Sequence, residues 1–147
     1  MSVFIKGDAV IVDVWDGSIY RPVACLTSNG KTETVNIIES QTKCEPGLIL
    51  KDAGSYSYEI TMEGQKIDTT SVGSEVTKAS YDYLEGVIRA RVAVTWRMST
   101  GITDTPFQYG TGIFSDLGDT NDAGDSLASF SGTISGSGLI VIIDPEI

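Results

Sequence analysis

The residues of this sequence that could do chemistry are mostly carboxylates: 20 Asp and Glu stand against 10 Lys and Arg, and there is no histidine. Without an imidazole, Ser–His–acid triads, His-ligated zinc and imidazole acid–base chemistry are excluded. Cys25 and Cys44 are the only thiols, and two sulfurs nineteen positions apart do not make a metal site. They read as two partly buried reduced thiols or as one disulfide, and spacing alone does not choose. A glycosidase-like carboxylate pair would need one acid in apolar surroundings that raise its pKa, and no Asp or Glu has such a context. A serine nucleophile would lack its usual base. The sequence therefore reads as a non-enzyme with no cofactor.

Two polar groupings invite a closer look. In the loop DLGDTNDAGD, residues 116–125, Asp119, Asn121 and Gly124 match the first, third and sixth positions of an EF-hand loop. Ala123 stands where an oxygen ligand is needed and Phe130 where the bidentate glutamate belongs, so a solvated turn or subunit contact fits better than calcium. Arg89, Arg91 and Arg97 fall on one face of an alternating segment, residues 87–98. No glycine-rich turn shapes a phosphate pocket around them, so they read as ion-pair partners for acids in the same sheet or in another subunit.

The totals narrow the class. A chain of 147 residues suits one domain, residues 1–147, with a core of its own. A formal net charge of -10 repels phosphate backbones and anionic membranes, which argues against stable nucleic-acid or membrane binding. No apolar run reaches the roughly 20 residues that span a bilayer, and the start, MSVFIKGD, lacks a signal-peptide pattern. The expected site of synthesis is a cytoplasm.

The elements that must position these residues are mostly strands. Residues 9–15 (AVIVDVW), 21–26 (RPVACL) and 32–39 are β-rich and separated by Asp16-Gly17 and Ser28-Asn29-Gly30 turns. Residues 40–55 carry a Pro-Gly turn and no useful period, and read as a long loop or the flexible tip of a hairpin, either a contact element or a solvated one. Tyr56, Tyr58, Ile60 and Met62 alternate with Ser57, Glu59, Thr61 and Glu63, as in a half-buried strand closed by Gly64. A helix is expected over residues 74–85, with Ser74 as N-cap, Gly86 as the C′ glycine, and Val76, Ala79, Tyr83 and Leu84 on its apolar side. After residues 87–98, a turn-rich segment (residues 103–112) leads to a further strand at 112–117.

The C-terminal stretch, ASFSGTISGSGLIVII, has two parts. Phe130 and Ile134 alternate with Ser129, Ser131, Thr133 and Ser135, giving one apolar face and one face of small hydroxyls. Leu139, Ile140, Val141, Ile142 and Ile143 form a continuous apolar run, the pattern of a strand covered on both sides. Seven or eight strands and one late helix predict an all-β fold, a β-sandwich or partly open barrel of two packed sheets with a flanking α-helix.

The order GDAVIVDVW, then PVACLTSNGKTETVNIIESQTKCEPG, SYSYEITMEGQ, a helix ending DYLEG and finally DAGDSLASFSGTISGSG resembles the major tail tube proteins of long-tailed bacteriophages over nearly the whole chain. The resemblance implies a subunit that assembles with itself into six-membered rings stacked as a tube, in company with other tail proteins such as the tape measure and tail terminator. It implies that DNA passes through without specific binding, and that the subunit is assembled in the host cytoplasm and resides in the virion tail. It supplies no catalytic residue.

A channel wall wants short polar or acidic side chains, so Thr32, Thr34, Asn36, Ser57, Glu59, Thr61, Glu63, Ser129, Ser131 and Thr133 are the expected lumen residues. Lys43, Glu45, Leu48, Ile49, Leu50 and Lys51 of the long loop, the three arginines, and residues 139–143 are the expected contacts between subunits or rings. Two rival readings stand beside this one. One is a carbohydrate-binding or adhesive β-sandwich using Trp15, Trp96 or the tyrosines, although alternation puts Trp96 on an apolar face. The other is a different tail part, a tail terminator or the tube of a contractile tail.

Overall fold

The computed structural model describes residues 4–23, 26–41, 44, 46–67, 81–102, 106–124 and 127–146. Seven strands follow a short 3-10 turn (Gly7–Ala9): β1 Val12–Trp15, β2 Tyr20–Pro22, β3 Leu26–Ser40, β4 Leu50–Gln65, β5 Val94–Met98, β6 Gln108–Thr120 and β7 Ser129–Val141, with α1 Tyr81–Ala90 between β4 and β5. They form one antiparallel sheet in the order β2-β1-β5-β6-β7-β4-β3. The all-β class with a flanking helix holds. The two separate sheets do not: one continuous sheet, not closed by backbone pairing, does the work of both.

Strand β6 makes that possible. Its first five residues, 108–112, pair with β5, while β7 pairs with it from Tyr109 to Thr120 through two register shifts. Bulges bend a strand and increase its twist, so the sheet turns along β6 and its halves face each other. Across the fold, Asn29 on β3 donates to the Val10 carbonyl at 3.0 Å and the Lys31 ammonium donates to Gln108. Val12, Val14, Trp96 and Met98 from one half thereby meet Tyr58, Ile60, Met62, Phe130 and Ile134 from the other in one core.

Tyr58 ties the halves together. Its ring lies flat over β7 and β6, and a Cβ on Gly136 would fall 2.2 Å from it. The Tyr58 hydroxyl donates to the Thr111 carbonyl at 2.8 Å and accepts from Trp96 Nε1 at 3.1 Å, with the two rings edge-to-face at 5.6 Å. Both polar tips are satisfied inside the core, which removes the penalty for burying them.

Local chemistry explains the first hairpin. Asp16 Oδ1 accepts from the backbone N–H of Ser18 and Ile19, both at 2.8 Å, and its Oδ2 accepts from Arg21 Nε at 2.6 Å. These donors hold the Asp16 carboxyl down at about 2.

Several boundaries differ from the sequence reading. The helix is expected to end at Gly86, yet it runs through Gly86 to Ala90 and stops at Arg91, which takes a left-handed φ of 56°. Fully buried Leu84 and partly buried Tyr81, Val87 and Ile88 make one stripe at helical spacing, and burying it outweighs a local stop signal. The expected helix start, with Ser74, Val76 and Ala79, lies outside the described residues. Arg89 is therefore on a helix and Arg91 in its cap, and β5 begins only at Val94.

Gly86 is exposed, and a Cβ there meets nothing within 4 Å. Gly86→Ala should stabilise the subunit by about 0.5–1 kcal/mol, because alanine loses less backbone freedom in a helix. A thermal melt that falls instead would contradict the helix as drawn.

The expected loop at residues 40–55 is mostly hairpin. β3 and β4 pair from Leu26↔Gly64 out to Ser40↔Leu50, whereas β4 pairs with β7 only over Glu59–Gln65. Beyond Tyr58 the hairpin is two-stranded, an arm roughly 30 Å long at the usual rise per residue. Both of its faces are exposed, which is why neither face shows an apolar period.

Candidate assembly surfaces

Register decides which side chains share a face, because directly paired residues point the same way. Ser28↔Glu63↔Ser131, Gly30↔Thr61↔Thr133 and Thr32↔Glu59↔Ser135 make three rows across β3, β4 and β7, and Thr34↔Ser57 makes a fourth. On the far side, β6 extends the rows with Gly118 beside Ser131, Asp116 beside Thr133 and Ile113 beside Ser135. The opposite face of these strands carries Tyr58, Ile60, Met62, Phe130 and Ile134.

Nine of the ten expected lumen residues are thus brought onto one face, and the register leaves Asn36 unassigned. Ser129 pairs with Gln65 at the end of that face, and Asn36 sits at the register shift between Val35 and Ile37. Ser129 and Thr133 are half-buried and the other eight are exposed.

The same rows add Ser28, Asp116 and Ile113, together with Ser135, which its alternation already sets on the hydroxyl face. Asp116 does not follow from the sequence pattern, because the shift between Phe114 and Asp116 breaks the alternation. Glu59, Glu63 and Asp116 give the rows three acids, and no lysine or arginine stands in them. Rows lie roughly 7 Å apart along the strands, within about one Debye length at physiological salt, so the three charges act together.

The expected contact residues fall into three groups. Leu48, Ile49, Leu50 and Lys51 belong to the hairpin arm, where Val35, Ile37 and Ile38 are also exposed; Lys43 and Glu45 lie outside the described residues. Lys51 pairs with Glu39 across the arm at 3.6 Å. Near the base, the Tyr56 hydroxyl donates to Glu33 Oε1 at 2.5 Å, which pushes the phenol up to about 12.

The second group is the C-terminal run. In the subunit Leu139, Ile142 and Ile143 are 70%, 64% and 78% exposed, Val141 is exposed too, and only Ile140 packs on the core. The expectation of cover on both sides fails within one copy. β4 leaves β7 after Ser135, so among the described residues that end of β7 has a strand, β6, on one side only.

The arginines form the third group. Arg89 reaches Glu85 at 3.0 Å on the exposed side of the helix. Arg97 is held inside the subunit: it faces Asp13 across the β1–β5 pair, meets Asp13 Oδ2 at 2.6 Å, and lies between the rings of Tyr20 and Phe107. Burial raises the Asp13 pKa, and the Arg97 hydrogen bond and charge oppose the rise without cancelling it.

Arg97→Ala leaves that carboxylate with no cation and should cost about 2 kcal/mol, below the value for a fully buried pair because part of Arg97 meets solvent. A carboxyl whose folded pKa lies above its unfolded one binds its proton more tightly in the fold. The deficit should therefore shrink as the pH falls from 7 toward about 4. Urea midpoints across that range check both statements, and a deficit that widens on acidification contradicts the second.

The acidic loop is partly strand. Asp119 lies on β6 and accepts from Lys66 Nζ at 2.7 Å and Asn121 Nδ2 at 2.8 Å, contacts that lower its pKa. Lys66 also sits over the Tyr81 ring, so these groups tie the helix to the sheet. The aromatic platform of the sugar-binding reading is absent at Trp96, which is fully buried, while Trp15 stacks edge-on with Tyr20 at 4.9 Å.

No protein-family model and no curated protein matches the sequence. Solved structures do match in three dimensions. A chain of the tail of an empty gene transfer agent particle, with C6 symmetry, aligns over 95% of this chain and 98% of its own, at 12% identity and a TM-score of 0.74. The tail tube fold is the fold of this chain. A chain of the SPP1 tail tube shares it over 92% of this chain and 77% of its own, at 12% identity and a TM-score of 0.64. So does a chain of the sheath–tube complex of an extracellular contractile injection system, over 95% and 93%, at 15% identity and 0.61. The tail tube fold is therefore reached both from the order of sequence elements and from three-dimensional likeness.

Proposed function

We propose that this chain is the major tail tube subunit of a phage or phage-like particle, a structural protein that assembles head-to-tail into rings stacked as the conduit for genome ejection. The observation that carries the reading is the hydroxyl- and acid-lined face of β3, β4, β7 and the second half of β6, combined with what bounds it. Among the described residues, at one side β3 pairs only with β4, and at the other β6 beyond Gly112 pairs only with β7. Joining such edges between copies is a heterologous contact, which closes into a ring when the rotation divides the circle. A six-membered ring is favoured by the C6 symmetry of the gene transfer agent tail.

Lined this way, the channel repels DNA through Glu59, Glu63 and Asp116 and otherwise offers it small hydroxyls, glycines and Ile113. The arm is the element long enough to reach another copy. A tape measure and a tail terminator are the partners such a tube requires, and the virion tail is its location. The fold is shared with a contractile system, so the reading covers tubes with or without a sheath.

Negative-stain microscopy of the purified protein tests the proposal. Rings or tubes of uniform bore are expected at high concentration, and a monodisperse monomer there counts against it.

A further inference from the structure

The C-terminal segment is built with its polar and apolar sides reversed. After β7 it crosses the outer face of the β2-β1-β5 half, where the Tyr20 hydroxyl donates to Asp144 Oδ1 at 2.7 Å and the Thr95 hydroxyl donates to Glu146 Oε1 at 2.6 Å. The Glu146 backbone N–H closes the turn onto Asp144 Oδ1 at 2.9 Å. A segment that packs on its own domain normally turns its aliphatic side chains inward. Here the carboxylates are gripped, and Leu139, Val141, Ile142 and Ile143 face solvent. The register jumps from Thr111↔Ser137 to Tyr109↔Val141, and Gly138 takes a φ of 81° within the bulge, which re-aims Leu139 outward.

We propose that this aliphatic ridge is the docking surface for the hairpin arm of a second copy, and that the Tyr20–Thr95 hydroxyl clasp holds the ridge in the docking position. The inference rests on the tail tube reading. The ridge holds no aromatic or basic residue, and Asp144 and Glu146 beside it repel nucleic acid and anionic lipid. The partner must be aliphatic, and the arm offers Val35, Ile37, Ile38, Ile49 and Leu50, all exposed.

Geometry adds a direction. Pairing of Glu59 with Ser135 and Thr61 with Thr133 means that β4 toward Leu50 and β7 toward Val141 run to the same end of the subunit. An arm that reaches a ridge at its own level meets a neighbour within the ring, not one in the next ring. The contact is heterologous, arm of one copy on ridge of the next.

Two sets of full-length variants test this by sedimentation velocity. Tyr20→Phe with Thr95→Val removes both hydroxyls and little volume. The pair should melt close to the unaltered protein, exchange the Glu146 amide hydrogen about 10-fold faster, and need about 5-fold more protein to form rings. Unchanged exchange overturns the clasp, and unchanged assembly with faster exchange overturns its role in docking.

Ile38→Asp and Ile142→Asp lie at exposed positions, so each should stay folded and fail to form rings. Mixed one to one, the intact ridge of the first accepts the intact arm of the second, and a heterodimer is expected. Two variants that each assemble normally, or a mixture that stays monomeric, overturn the pairing of arm with ridge. If the unaltered protein itself never assembles, the tail tube reading fails first and this inference with it.

Discussion

Trp96→Ala is expected to lower the stability of the subunit by about 4 kcal/mol and its melting temperature by roughly 10 °C. Trp96 has no exposed surface, and its ring meets the Tyr58 ring edge-on at 5.6 Å. Truncation removes the largest side chain at the junction of the two halves and leaves a cavity the sheet cannot close, because β5 is fixed by pairing on both sides. Trp96→Phe keeps most of the ring but loses the indole N–H to Tyr58, and should cost about 1–2 kcal/mol. Chemical denaturation of the isolated subunit measures both. A loss under about 2 kcal/mol for the alanine variant would mean that the halves do not meet at this residue.

Gly136→Ala is the second large effect, expected at about 3 kcal/mol, the upper range for an added methyl in a packed core. Tyr58 cannot give way easily, since its hydroxyl is pinned by the Thr111 carbonyl and by Trp96. The added Cβ would sit 2.2 Å from two ring carbons. The cause can be isolated: in a Tyr58→Ala background, itself strongly destabilised, the further cost of Gly136→Ala should fall below about 1 kcal/mol. Additive losses would place the strain in the backbone instead of the ring.

Much of the sheet was legible because half-buried strands write their orientation as a period of two. Tyr56 to Glu63, and Ser129 to Ser135, alternate without interruption, and both fall on the strands and faces their patterns predict. The helix was harder. Residues 87–92 alternate like a strand, and only the stripe through Tyr81, Leu84 and Ile88, set by what the helix packs against, separates the two readings.

Only half of the hairpin arm is legible: residues 32–39 read as a strand, whereas residues 50–55, with both faces in solvent, have no apolar side to display and read as loop. The Arg97–Asp13 pair joins residues 84 positions apart and needs a register that no local pattern contains. The apolar run at residues 139–143 reads as covered, and within one copy all of it but Ile140 is bare. Its chemistry was legible, but a single chain does not say from where the cover comes.

The polar face has a consequence for how such sequences diverge. A binding site constrains its residues by what must be present: a donor here, a ring there. As the proposed channel wall, the rows on β3, β4, β7 and β6 would instead meet a condition on what must be missing, positive charge above all. Many sequences satisfy an exclusion, so drift across such a wall is nearly neutral as long as the Tyr58–Gly136 packing behind it survives.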